Sequence, residues 1–155
     1  MDAVFVGPDA LGDPVVLAAG LAPTVPEDLL LGVRLTLGPR ERHPALLARD
    51  LTSLDLASGG RSVLCFQPPF GESVAEAVAL CRALWQKGEV AGDGRHFPVR
   101  AATNRARPAR EGSPLVALDL TSGEDVPVSL EGSADLLLRP WTESGHPDAC
   151  RLERV

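Results

Sequence analysis

LLLGVRLTL, residues 29–37, is apolar on both faces instead of alternating. A strand reads this way when helices cover the sheet, as they do in parallel α/β proteins. Outward from it, Ala3–Val6 (AVFV), Ser62–Phe66 (SVLCF) and Leu115–Leu120 (LVALDL) are further strands of buried type. Ala134–Leu138 (ADLLL) is another strand candidate, and Cys150–Val155 reads as an edge strand or a frayed tail.

Helical signals fall between these runs. Asp13-Pro14 supplies a cap and a proline at the first helical position, so a helix is expected over Val15–Ala22, stopped by Pro23 and Pro26. Gly38-Pro39 ends the strand before the next helix. That helix opens with His43 in the capping position and Pro44 behind it, carries an apolar stripe of Leu47, Leu51 and Leu54, and closes at Ser58-Gly59-Gly60. Ser73 and Glu76 have the spacing of a capping box for a third helix running to about Gln86. Lys87 to Ser113 is rich in Gly, Arg and Pro and reads as a loop, with Arg95–Arg100 as a short extended excursion. Thr121–Glu131 contains Pro127, which argues against a full helix there. The pattern is βαβαβα, a long loop, then two more strands. It predicts a parallel sheet with right-handed crossovers in one α/β domain over residues 1–155.

Composition bounds the function. The chain has 155 residues, 45% hydrophobic and 23% charged, within the globular range. A net charge of −6 without a basic block argues against a nucleic-acid surface. The Arg-rich stretch Arg95 to Arg110 is broken by Pro and Gly and has only Phe97 for base stacking. Cys65, Cys81 and Cys150 form no CxxC or Cys/His metal spacing. With no signal peptide in view, they point to a reducing, cytoplasmic setting. No apolar run approaches the ~20 residues of a membrane span. No Ser/His/Asp order, paired carboxylates, Walker loop or GxGxxG appears, so hydrolase and kinase readings have no support.

Several segments resemble, in order, the luciferase-like family of flavin- and deazaflavin-dependent monooxygenases and oxidoreductases. Residues 42–61 (RHPALLARDLTSLDLASGGR) are similar to the family's RHP…LA…TLD..SGGR stretch. Residues 76–99 (EAVALCRALWQKGEVAGDGRHFPV) resemble its helix ending in LW and the excursion with a G.HF element. Asn104–Pro108 (NRARP) and Pro114–Ala117 resemble the approach to the fifth barrel strand, the opening DAVFVGPD resembles the second, and Ala134-Asp135 a later strand start. Resemblance is clear over 1–120 and degenerate over 121–155. It implies a partial, truncated (β/α)8 barrel of TIM type with a mainly parallel sheet, since a whole one takes about 200 residues or more. It also implies FMN or a deazaflavin as cofactor, with no cofactor an equal alternative. The chain departs from the family at Gly7-Pro8-Asp9 after the first strand and at Gln67-Pro68-Pro69 after the third, and the usual insertion beyond is cut short.

Barrel chemistry occupies the carboxyl ends of strands, here Arg34–Thr36, Phe66–Gln67, Leu120–Gly123 and Leu138–Arg139. The resemblance makes Arg34, Thr36, Gln67, Thr121, Ser122, Gly123 and Arg139 the cofactor-binding candidates. Thr121-Ser122-Gly123 offers hydroxyls and backbone N–H groups to a phosphate, or is simply a polar turn. Arg34 and Arg139 suit a phosphate or a carboxylate. Asp119, inside an apolar strand, must be paired or protonated. Of the histidines, His96 and His146 carry no signal, and His43 reads as a cap. Arg61 reads as an anchor at the opposite end of the sheet. No catalytic residue and no metal ligand is assigned.

Two functions follow. One is a non-catalytic, truncated luciferase-like protein that serves as a partner subunit, and the other is an active minimal flavin- or deazaflavin-dependent monooxygenase. A few strands cannot close a barrel, so edges and an unfilled interior are expected. Residues 124–155, with their prolines and glycines, read as a poor lid. A homodimer, or a heteromer with a related chain, is therefore expected to cover that surface.

Overall fold

A computed structural model describes residues 2–8, 12–38, 42–140 and 150–155; Asp9, Pro39 and His146 lie outside them. Among these residues, eight strands and three α-helices run in the order β1 (Ala3–Val6), α1 (Pro14–Leu21), β2 (Leu30–Thr36), α2 (Pro44–Ala57), β3 (Ser62–Gln67), α3 (Glu72–Lys87), β4 (Glu89–Gly92), β5 (Val99–Thr103), β6 (Leu115–Asp119), β7 (Leu136–Pro140) and β8 (Cys150–Arg154). A short 3-10 turn, Val128–Leu130, replaces a crossover helix between β6 and β7, as Pro127 required. The main sheet has the order β1-β2-β3-β6-β7-β8, parallel from β1 to β7, with β8 antiparallel at the edge.

The helices form where their caps begin. Asp13 Oδ1 accepts from the N–H groups of Val15 and Val16 at 2.9 and 3.2 Å, and His43 Nδ1 accepts from Ala45 N at 3.1 Å. The expected Ser73/Glu76 capping box is absent. Gly71 caps α3 without a side-chain bond, and Glu76 lies beyond the third helical position that a capping box needs. Its carboxylate accepts instead from the main-chain N–H groups of His96 and Phe97 at 2.9 and 2.8 Å. It holds there the turn that leads into β5. That grip requires glycine at position 94, where a Cβ would stand 2.1 Å from the Glu76 carboxylate.

One face of the sheet packs under the helices. Leu31, Val33, Leu64, Phe66, Val116 and Leu118 meet Leu47, Leu51, Leu54, Val78, Cys81 and Leu84 there. Trp85 is buried among them and donates from Nε1 to Ala48 O at 2.9 Å. At the amino ends of the strands Arg61 anchors β2, donating to the carbonyls of Ser58, Pro26 and Leu29 at 2.7, 2.8 and 3.0 Å.

The other face is concave. Five inter-strand steps would set β1 and β8 about 24 Å apart in a flat sheet. Instead Ala3, Phe5, Cys150 and Leu152 line one cleft, so the sheet curls into a half-barrel. This corrects the expectation of an unfilled interior. Val63, Cys65 and Ala117 are fully buried on that side, covered by Leu136, Leu138 and Leu152 with Phe5 beside them. Phe5 lies over Gly32, where a Cβ would come within 2.2 Å of its ring. β7 and β8 thus serve as lining where residues 124–155 were expected to be a poor lid. Pro127 and Pro140 fall outside the residues that pack, and Leu136, Leu138 and Leu152 alternate inward along β7 and β8. Burying each contributes about 1.5–3 kcal/mol.

The long loop is also more ordered than expected. Glu89–Gly92 and Val99–Thr103 form a two-stranded antiparallel hairpin, β4–β5, outside the main sheet.

Candidate functional site

Strand alternation places Arg34, Gln67 and Asp119 on the concave side, near the carboxyl ends of β2, β3 and β6. They meet there. The Arg34 guanidinium donates to Asp119 Oδ2, and Gln67 Nε2 reaches the same oxygen at 3.4 Å. Thr121 donates to Oδ1 from its main-chain N at 3.1 Å and from its hydroxyl at 2.6 Å. Asp119 is 1% exposed. Burial alone would raise its pKa, but the bonds from Thr121 and Arg34 outweigh it and hold the carboxyl below its ordinary range. Asp119 is therefore a carboxylate locked by charge and hydrogen bonds, and a weak base.

Cys65, on the same side, offers no nucleophile. Its thiol is pushed up to about 12 by burial, with Asp119 adding to the rise and Arg34 opposing it. Arg34 Nε, a donor, and Gln67 Oε1, an acceptor, are buried without a hydrogen-bond partner among the described residues. Arg34 also borders a cleft of about 350 Å³ between β1 and β8.

The cofactor-binding candidates thus divide. Arg34, Gln67 and Thr121 come together around Asp119. Thr36 ends β2, half-buried, with no bond to the cluster among the described residues. Ser122 and Gly123 are exposed, and the Gly123 N–H donates to Leu120 O at 3.1 Å. Two of the three N–H groups of Thr121-Ser122-Gly123 are thus engaged within the chain. Arg139 lies on the opposite face of β7 from Leu138, with Glu153 at 3.8 Å. The organising residue is Asp119, and its signal was a carboxylate inside the apolar run LVALDL. No group of metal-ligating side chains occurs among the described residues. No helix among them is long and apolar enough to cross a membrane.

No protein-family model matches the chain, and no curated protein matches it in sequence. Solved structures do. The chain is similar to monooxygenase RslO1 from Streptomyces bottropensis at 23% identity and TM-score 0.63, with 77% of this chain and 42% of that one covered. It is similar to EDTA monooxygenase (EmoA) from Chelativorans sp. BNC1 at 19% identity and TM-score 0.65, over 88% of this chain and 42% of that one. The coenzyme F420 dependent tetrahydromethanopterin reductase from Methanopyrus kandleri matches at 15% identity and TM-score 0.54, over 89% and 55%. The chain spans about 42% of the length of the two monooxygenases. With its curled, mainly parallel six-stranded sheet, it has the fold of the luciferase-like oxidoreductases, present as part of their (β/α)8 barrel.

Proposed function

We propose that this chain is a non-catalytic luciferase-like module, a partner subunit of the reducing cytoplasm that pairs with a second copy or a related chain. The observation that carries this reading is the filled concave face. The side of the sheet that could receive an isoalloxazine ring holds Phe5, Leu136, Leu138 and Leu152. Arg34, the cation at its rim among the described residues, is already neutralised by Asp119. A flavin phosphate would have to displace a resident carboxylate whose bonds are made. FMN or a deazaflavin, if either is held, would meet Arg34, Gln67 and Thr121 first.

The partner role rests on the outer surface. α1 is apolar all round, and a helix of that kind is a buried one. Yet Val16 is 69% exposed, and Leu17 and Leu21 are exposed beside it. Leu46 and Leu56 are likewise bare on α2, which packs against α1.

Titration with FMN and with a deazaflavin, followed by absorbance, together with sedimentation equilibrium, tests both parts. The expected result is no saturable binding tighter than about millimolar, equivalent to about −4 kcal/mol, and a mass near twice 16.3 kDa. Saturable micromolar flavin binding would establish the other reading, an active minimal monooxygenase. A single-chain mass with a cooperative melt would remove the homodimer.

A further inference from the structure

The β4–β5 hairpin leaves a strand edge bare. Asn104 N donates to Gly88 O at 2.7 Å, which sets the phase of the ladder. Ala102 and Asn104 turn their main-chain groups toward β4, so Thr103 between them turns its own outward, just before the register shifts by one residue between Ala102 and Val99. Thr103 is exposed, and among the described residues no hydrogen bond reaches its main chain from outside the hairpin.

That edge opens on a groove whose far wall is the outer face of α2. A cleft of about 460 Å³ lies between residues 98–103 and His43, Leu46 and Arg49. A second, also about 460 Å³, continues it between residues 103–106 and Arg49, Asp50 and Ser53. The strand that borders it, at ~3.3 Å per residue, is about 17 Å long.

The walls carry the opposite sign from the chain. Net charge is −6, yet Arg49, Arg100 and Arg105 line this groove without an ion-pair partner among the described residues. Its one acid, Asp50, is held by Arg42 at 2.6 Å. Other arginines of the 95–110 stretch are committed: Arg95 to Glu72, Arg107 to the carbonyls of Trp85 and Gln86, and Arg110 to that of Gly60.

We propose that this groove binds an acidic, extended peptide segment of a partner protein, which adds to β5 as a third strand. Main-chain bonds along the outer edge of β5, beginning at Thr103, would supply the pairing. Arg49, Arg100 and Arg105 would select Glu and Asp in the incoming strand. A second copy of the chain fits less well, because twofold β5–β5 pairing brings two copies of the same arginine-lined patch together. Nucleic acid fits less well too, since no Phe, Tyr or Trp lines either cleft to stack a base. This inference stands apart from the non-catalytic reading, since it uses no residue of the concave face.

Fluorescence anisotropy with a labelled alternating Glu/Val heptapeptide tests it on the full chain. The expected result is saturable binding that weakens with salt and is absent for the Lys/Val counterpart. Arg100→Glu should lower affinity about ten-fold or more, the loss of one charge-assisted contact. Thr103→Pro removes an outward N–H and no bond to β4, so it should lower affinity about ten-fold with the melt unchanged. Three binding results would overturn the proposal: no binding at millimolar peptide, equal binding of the Lys/Val peptide, or undiminished binding by Thr103→Pro. So would displacement of the peptide by an oligonucleotide, or a dimer that Thr103→Pro splits.

Discussion

Asp55 and Asp119 are buried carboxylates at opposite ends of one sheet, 0% and 1% exposed. Asp55, near the end of α2, meets neutral donors: Ser62 Oγ at 2.6 Å and Arg110 N at 2.9 Å. Its carbonyl takes Gly60 N at 2.8 Å. One residue thus staples a helix end, a strand start and the chain entering β6, with both oxygens satisfied. Asp119 meets a guanidinium, an amide and a threonine, and that cluster leaves Arg34 Nε and Gln67 Oε1 buried without partners among the described residues. The amino-terminal end of the half-barrel is complete as a bonding network. The carboxyl-terminal end holds more polar groups than it uses, the condition of a site with a ligand or of one that has lost it. Parallel barrels divide stability and chemistry between their ends, and here the two ends differ in how fully their polar groups are bonded.

That contrast can be broken by substitution, and Asp55→Ala should do the most damage. It leaves a buried hydroxyl and a buried main-chain N–H unsatisfied, at about 1–3 kcal/mol each. A loss of about 4 kcal/mol is expected in urea unfolding. Asp119→Ala should cost less, about 2–3 kcal/mol, because Arg34 keeps 29% of its side chain in water. Replacing both, as Arg34→Leu with Asp119→Leu, should recover most of that loss. If the two aspartates cost the same, the ends do not differ as described.

Acid sharpens the comparison. The folded Asp119 carboxyl lies below its ordinary range, so as pH falls the unfolded chain takes up that proton first. Its contribution is complete above the ordinary carboxylate pKa and is lost as pH drops through the folded value. Melting temperature followed downward from neutral pH should therefore fall less steeply for Asp119→Asn than for the parent chain. Parallel acid limbs would mean that Asp119 is not held as an anion. The smallest effect belongs to Arg139→Ala. Arg139 sits outside the cluster beside Glu153, an exposed pair worth about 0.5 kcal/mol or less. A larger loss, or an altered Asp119 titration, would show that Arg139 belongs to the site after all.

Much of this was legible in the sequence. The strands announced themselves as apolar runs, and Asp13 and His43 announced their helices as caps ahead of proline. Glu76 misled, because capping-box spacing is identical whether a glutamate reaches back to its own helix or out to residues 96 and 97. The β4–β5 hairpin was hidden because VRAAT and EVAG are short and largely exposed, without the apolar alternation that marks a strand. The filling of the concave face was hidden for another reason. Leu152 stands among charged residues in CRLER, and its burial depends on where β8 pairs, a long-range fact. Of the site, Arg34, Gln67 and Thr121 were found by their place at strand ends, whereas Asp119's organising role depends on a bond to Arg34 across 85 residues.

The filled interior is tested most directly by counting thiols. Cys65 lies on the concave face, fully buried, and Cys81 is buried under the helices, while Cys150 is exposed. Burial pushes both inner thiols up to about 12, so neither is a thiolate at neutral pH. With a disulfide reagent in excess over the native chain, one fast-reacting thiol is expected, mapping to Cys150. The other two should react only at the rate of global unfolding. A second fast thiol mapping to Cys65 would show that the half-barrel stands open and would contradict the account.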